Sequence, residues 1–337
     1  MAEISVLGAG SWGTALALLL NSNGHKVTIW SILPNEIEQL KKDGENKRCL
    51  PGVAIPKEIN LTADVNEAVR GKDVLVLAVA SPYVRSTAHH IKDYIEDGQI
   101  LVNVAKGIEE DTLFTLTQVI EDEIPNANVT VLSGPSHAEE VGRGLPTTCV
   151  VGAKDKKTAE FLQNVFMSEV FRVYTSPDIT GIELGGALKN VIALAAGIAD
   201  GIGYGDNTKA ALITRGIYEI AKLGIAMGGK IETFTGLTGI GDLIVTCASM
   251  HSRNRKAGML IGQGKSYEEA MKEVNMVVEG VYAAKAAKKL SVKYNVDLPI
   301  VEQVNEVLFE GKKAVEAVRE LMLRDKKIES HAHDWDE

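Results

Sequence analysis

"ISVLGAGSWGTALA", residues 4–17, decides the fold. A short apolar run ends in Gly8, Gly10 and Gly13 at G-x-G-x-x-G spacing, and a helical pattern follows at once. The bare spacing is a weak signal; a strand before it and a helix after it make it a strong one. Gly8 permits the tight turn, Gly10 lets the backbone approach a pyrophosphate, and Gly13 lets helix and strand pack closely. The helix N-terminus adds free N–H groups and the positive end of its dipole. Ser11 and Trp12 lie in the loop itself and are expected to touch a bound dinucleotide.

Working outward, β-rich runs recur at 4–8, 26–30, 73–79, 100–105 and 129–134, with helical patterns at 13–22, 34–42, 82–95 and 112–123. Runs apolar throughout imply strands buried on both faces, hence a doubly wound, mostly parallel Rossmann-type sheet with helices on each side. Two further strand candidates, 147–153 and 170–175, flank a helix near 156–167; their direction is not legible. After "TSPDITG" (175–181) the periodicity is helical almost to the end. The expectation is an α/β dinucleotide-binding domain over 1–180, an all-α substrate domain over 181–325, and a disordered tail over 326–337. His331 and His333 in that tail read as a solvated end rather than a metal site. The end of the second strand normally selects the cofactor: an acid for the ribose hydroxyl, an arginine for a 2′-phosphate. Here Ser31, Ile32 and Leu33 offer neither, and the first acid, Glu36, falls in the next helix, so NAD and NADP both stay open.

The 337 residues are 45% hydrophobic and 24% charged, as in a globular protein. A net charge of −9 argues against a nucleic-acid partner, and any anionic ligand then needs a local positive cluster. Cys49, Cys149 and Cys247 are too few and too scattered for a disulfide framework and suit reduced thiols in a cytoplasmic location. "MAEISVLGAG" has no basic n-region. The most apolar stretch, between Lys189 and Asp200, is too short to span a bilayer, which needs about 20 residues. No membrane insertion is expected, and a homodimer is compatible with the sequence.

"GGALKNVIALAAGIADG" (185–201) reads like protein interior, yet Lys189 interrupts it. Gly185, Gly186, Ala193 and Ala196 surround it on its own helix face. Two readings stand: close helix packing with the amine snorkelling to water, or a groove through which a ligand reaches the amine. In the second, burial and nearby positive charge lower the amine's pKa and make it a usable base. Several other features favour a ligand site. Lys106 follows a strand end in "NVAKGI" (103–108), where ligands of open α/β sheets gather. "LSGPSHAEEVG" (132–142) is a post-strand turn with Ser136 and free N–H groups. "LTGIGDLIVTC" (237–247) carries Asp242. Ser252, Arg253 and Asn254 in "HSRNRKAG" (251–258) offer a hydroxyl, a planar fork and an amide, a set suited to phosphate. Together they imply a small phosphorylated substrate.

These stretches, with "GYGDNTKAALITRG" (203–216) and "VVEGV" (277–281), resemble the bacterial NAD(P)-dependent sn-glycerol-3-phosphate dehydrogenases along residues 4–323. The resemblance implies a Rossmann domain followed by a helical one. It implies reversible reduction of dihydroxyacetone phosphate to sn-glycerol 3-phosphate, feeding glycerophospholipid synthesis. By the same resemblance Lys189 is the proton acceptor. Lys106 serves substrate and cofactor, and Gly134, Ser136, Asp242, Ser252, Arg253 and Asn254 bind substrate. Ala138, Arg253, Val277 and Glu279 contact the cofactor. Many members carry His or Arg after the second strand's Trp, and this chain does not. Rival readings are a hydroxy-acid dehydrogenase of the same architecture and a non-catalytic NAD(H) sensor; the two lysines argue against the sensor.

Overall fold

A computed structural model describes residues 1–326, 328 and 329. The alternating pattern of the first half folds as β1 (Glu3–Leu7), α1 (Ser11–Ser22), β2 (Lys26–Trp30), α2 (Pro34–Asp43), β3 (Asn60–Thr62), α3 (Val65–Val69), β4 (Val74–Leu77) and α4 (Val84–Ile91). It continues through β5 (Ile100–Asn103), α5 (Leu116–Glu123), β6 (Asn128–Ser133), α6 (Ala138–Val141), β7 (Thr147–Gly152), α7 (Lys156–Phe166) and β8 (Phe171–Ser176). The strands form one sheet in the order β3-β2-β1-β4-β5-β6-β7-β8. Val6 lies in register with Ile29 on one side and Val76 on the other. Because side chains alternate between faces, Ile4 and Val6 join one buried layer while Leu7, Leu75 and Leu77 join the other. Both faces are covered, as the unbroken apolar runs require.

Ser11 and Trp12, read as loop, are the first two residues of α1, because the chain turns helical directly after Gly10. Further details also depart from the sequence reading. The short edge strand β3 and helix α3 were not anticipated. The helix expected over 112–123 begins only at Leu116, because Thr115 and Gln118 close a capping box there and Leu113 takes a left-handed φ of 63°. The 82–95 helix is α4 flanked by single 3₁₀ turns. The open question of strand direction is also answered: β7 is antiparallel to β6, and β8 is parallel to β7. The link from β6 to β7 holds only the four-residue α6 and no crossover helix, so the chain re-enters from the end at which it left.

From Ile179 onward the described residues are helical: α8 (Ile179–Ile202), α9 (Asp206–Ala226), α10 (Ile231–Phe234), a π-helical turn over Leu237–Gly241, α11 (Asp242–Ala248), α12 (Arg253–Gly262), α13 (Tyr267–Val274), α14 (Glu279–Tyr294), α15 (Pro299–Phe309) and α16 (Ala314–Met322). Helix α8 is longer than the apolar stretch suggested. Its 24 residues suffice by length and composition to cross a membrane, but it is almost wholly buried as the central helix of this half. His331 and His333 lie outside the described residues.

Glycines let main chain touch main chain where α8 crosses α12. A Cβ on Gly197 would stand 2.1 Å from the Arg255 carbonyl oxygen, and one on Gly258 2.2 Å from that of Leu194. Gly201 and Gly262 repeat the contact one turn on, against Met259 and Ile198. In an open helix, Gly→Ala gains about 1 kcal/mol. At Gly197 the added methyl meets backbone that cannot rotate away, and overpacking costs about 1–3 kcal/mol. Gly197→Ala is therefore expected to lower the urea midpoint; an unchanged or raised midpoint would show that the crossing has slack.

Candidate active site

The glycine turn is built as its spacing requires. Gly8 has φ 124°, and a Cβ there would meet the Ala78 carbonyl oxygen at 2.7 Å. A Cβ on Gly13 would lie 2.0 Å from the Gly8 oxygen. Gly10, by contrast, faces open space, and no side chain caps α1. The first-turn N–H groups, beside Ser11 and Trp12, thus suit a pyrophosphate. Ala138 opens α6 and is buried in the same layer as α1.

Lys189 does not snorkel. It is 5% exposed, and its Nζ donates to Asp242 Oδ1 and, at 2.8 Å, to Thr246 Oγ1. Lys106, past the end of β5, donates to Asp242 Oδ2 at 2.6 Å and to the Gly134 carbonyl at 2.9 Å. One carboxylate, 1% exposed, therefore holds an ammonium from each half of the molecule. The flanking glycines serve packing: Gly185 lies against the Thr238 carbonyl, and Gly186 clears room for Ser133 Oγ and the Lys106 stem.

Burial pulls the Lys189 pKa down; Asp242 offsets part of that, Lys106 adds repulsion, and the amine settles at about 8. For Lys106 burial also lowers, but the Asp242 charge and hydrogen bond outweigh it and leave the amine above its ordinary value. Burial alone would raise Asp242; the two ammoniums hold it below the usual carboxylate range. With both amines charged the cluster carries one net positive charge, which favours an anion or a developing alkoxide beside it.

The remaining anticipated residues occupy the rim. Gly134 has φ 153°, and a Cβ there would stand 2.9 Å from the Thr148 oxygen. Ser136 Oγ donates to the Gly134 carbonyl at 3.0 Å. Ser252 caps α12, accepting the Arg255 N–H at 3.2 Å, and Arg253 sits half-buried at the first helical position. Asn254 is mainly a brace: Nδ2 donates to Asn190 Oδ1 and Oδ1 accepts the Gly280 N–H, both at 2.9 Å. Val277 lies just before α14, half-buried. Glu279 opens α14 and accepts the Ser81 N–H at 3.3 Å; burial raises its pKa, with Arg253 opposing. Lys106, Gly134, Lys189 and Asp242 thus form one hydrogen-bonded cluster, and Asn254 joins it through the neighbour of Lys189. The glycine turn with Ser11, Trp12 and Ala138 forms a separate end.

Three contributors escaped the sequence reading. Thr246, one turn after Asp242, accepts from Lys189 and donates to the Asp242 carbonyl at 2.6 Å. Asn190 adjoins Lys189 and is buried. Glu183, also buried, joins α8 to α5 and to the end of β5 by accepting from Thr117 N (2.8 Å), Thr117 Oγ1 (2.5 Å) and Asn103 Nδ2 (3.3 Å). Their signals were present: an amide beside the lysine, a hydroxyl at helical spacing from the aspartate, and an acid inside an apolar run. Asn190 Nδ2, His137 Nε2 and Ser133 Oγ are buried without a partner among the described residues. Unsatisfied polar atoms of this kind call for a ligand or water, so the residues present fit a bound cofactor and substrate.

Comparison with known proteins finds relatives along almost the whole chain. The model of the NAD-dependent glycerol-3-phosphate dehydrogenase N-terminus matches residues 3–159, and that of its C-terminus matches residues 178–319. The chain is 64% identical over 331 residues to the glycerol-3-phosphate dehydrogenase [NAD(P)+] of Fusobacterium nucleatum, covering 98% of this chain and 99% of the relative. It is 64% identical over 335 residues to that of Agathobacter rectalis, covering 99% and 100%. A crystal structure of glycerol-3-phosphate dehydrogenase from Coxiella burnetii superposes with a TM-score of 0.93 at 35% identity, covering 96% of this chain and 99% of that one.

Proposed function

This chain belongs to the NAD-dependent glycerol-3-phosphate dehydrogenase family and interconverts dihydroxyacetone phosphate and sn-glycerol 3-phosphate with NAD(H) or NADP(H); we propose that Lys189 carries the proton in that reaction. The observation that carries the proposal is the amine of Lys189, buried beside Lys106 on a shared carboxylate. When bound, the nicotinamide accepts or returns a hydride at its C4.

In the oxidation direction, neutral Lys189 Nζ takes the C2 hydroxyl proton. The C2–H pair leaves as hydride, and C2–O becomes a carbonyl. In reduction the Lys189 ammonium returns the proton to the forming alkoxide. Lys106 polarises that oxygen, and Asp242 holds both amines in place. Ser136, Ser252 and Arg253 anchor the phosphate, which does no chemistry but fixes the reacting carbon in position. Gly8, Gly10, Ser11, Trp12, Gly13 and Ala138 hold the pyrophosphate end of the cofactor, with Arg253, Val277 and Glu279 contributing from the helical half. The division between the cofactor-holding and substrate-holding parts lies at about residue 180. The protein works in the cytoplasm, as a homodimer, on a product destined for glycerophospholipids.

The pH dependence tests this. Oxidation needs the neutral amine, so kcat/KM for glycerol 3-phosphate is expected to rise through about pH 8 and then level. Reduction needs the ammonium, so its kcat/KM is expected to fall above the same pH. Profiles that run parallel in the two directions would remove Lys189 from the role.

A further inference from the structure

The pyrophosphate end and the reacting end are accounted for; the adenosine end is not. Ile32 and Leu33, exposed after β2, present no polar group to a ribose. The polar groups at this corner arrive from elsewhere. Ser31, buried at the end of β2, accepts the Leu33 N–H at 3.2 Å and donates its own hydroxyl to Glu36 Oε2 at 2.5 Å. Glu36 stands in the first turn of α2 and is thereby folded back toward the strand end. Its other oxygen accepts Arg48 Nη2 at 2.5 Å.

The segment carrying Arg48 is fastened to the glycine turn. Asn46, 4% exposed, donates through Nδ2 to the Ala9 carbonyl at 2.9 Å and to Thr14 Oγ1 at 2.8 Å. Leu50 is buried beyond it, beside Gly142 of the α6 turn. Glu36 and Arg48 are therefore held at the rim of the turn that takes the pyrophosphate. In this fold the adenosine ribose lies at the end of the second strand, about 20 residues past the glycine turn.

We propose that Ser31, Glu36 and Arg48 form the ribose selector of this chain, with Glu36 accepting the 2′-hydroxyl and favouring NAD(H) over NADP(H). The inference rests on the dehydrogenase reading above. The side-chain environments decide which partner rules. The Glu36 side chain is 19% exposed and fixed by a buried serine, whereas that of Arg48 is 76% exposed. The carboxylate is the fixed element and the guanidinium the movable one. A fixed carboxylate accepts ribose hydroxyls and repels a 2′-phosphate. An arginine engaged with that carboxylate does not present its fork to the phosphate. The usual acid is thus present, displaced from the strand end into the following helix and returned by the Ser31 hydroxyl.

Titration of the full chain with NADH and with NADPH, without substrate, reads this directly by energy transfer from tryptophan to the nicotinamide. Wild type is expected to bind NADH at least about tenfold more tightly, the scale of one hydrogen bond to a charged group. Glu36→Gln is expected to shrink that ratio about tenfold or more, mainly by strengthening NADPH. Adding Arg48→Ala to it should remove the NADPH gain and leave NADH little changed. Ser31→Ala, which frees the carboxylate, should shrink the ratio in the same direction. Equal or tighter binding of NADPH by wild type, or an unmoved ratio in Glu36→Gln, overturns the selector while leaving the dehydrogenase reading intact. Failure to bind either nucleotide would overturn both.

Discussion

Replacing Lys189 with alanine is expected to lower kcat by about 10²–10⁴-fold, the usual worth of one positioned acid–base group. The protein should still fold and bind NADH. Lys189 is buried, but its removal leaves Asp242 paired with Lys106 at 2.6 Å, so no lone charge is stranded. Thr246, which accepts from Lys189, keeps its bond to the Asp242 carbonyl. The glycine turn is not part of this hydrogen-bonded cluster. Steady-state turnover, paired with NADH titration and a urea curve, separates the outcomes. Near-normal turnover in a folded variant would move the proton transfer to another group; loss of fold would make Lys189 structural.

Asp242→Ala is expected to cost more in stability than any other single change at the site. Removing one partner of a buried ion pair costs about 3–5 kcal/mol, because the survivor is left charged and dry. Here two survivors remain, and they respond by giving up protons. The pH dependence of stability follows. In the wild type Lys189 sits at about 8 against an ordinary 10.5, so between those values the unfolded chain binds more protons and this group's contribution to stability rises with pH. Lys106 has the opposite sign: raised by Asp242, its contribution is present below the ordinary lysine value and lost as pH climbs through its folded pKa. Without the carboxylate both amines are depressed, so the variant should gain stability as pH rises toward 10.5 and lose it as pH falls. Asp242→Asn keeps the shape and separates charge from packing: its oxidation profile should shift to lower pH, and reduction at neutral pH should fade for want of a proton donor. An Asp242→Ala protein as stable at pH 7 as wild type would mean that the lysines find water or another acceptor.

What the sequence revealed and what it hid divide by distance along the chain. Strand and helix runs, the Gly8–Gly13 turn and the odd position of Lys189 are local signals and were legible. The reversal of β7 was not, because strand direction depends on where α6 returns the chain rather than on any residue's propensity. The edge strand β3 is three residues long, too short for alternation to register. The partners of Lys189 were hidden for a different reason: Asp242 stands 53 positions away and meets it only because α11 packs on α8. Asn254 reads as a phosphate ligand in sequence, yet its amide is largely engaged in bracing α12 to α8 and α14. Glu36 was visible as an acid, but its return to Ser31 depends on the turn between β2 and α2, which no spacing rule reports.

The crossing of α8 and α12 carries a consequence for which molecules react. Lys189 rides on the first helix and Arg253 starts the second, and the glycine contacts allow these two bars almost no sliding. The backbones that carry amine and guanidinium are thus set apart like the arms of a fixed calliper. On the proposal that Lys189 takes the proton and Arg253 anchors the phosphate, a polyol phosphate with one carbon more or fewer between its hydroxyl and its phosphate is expected to turn over more slowly, because the two backbones cannot slide to follow it.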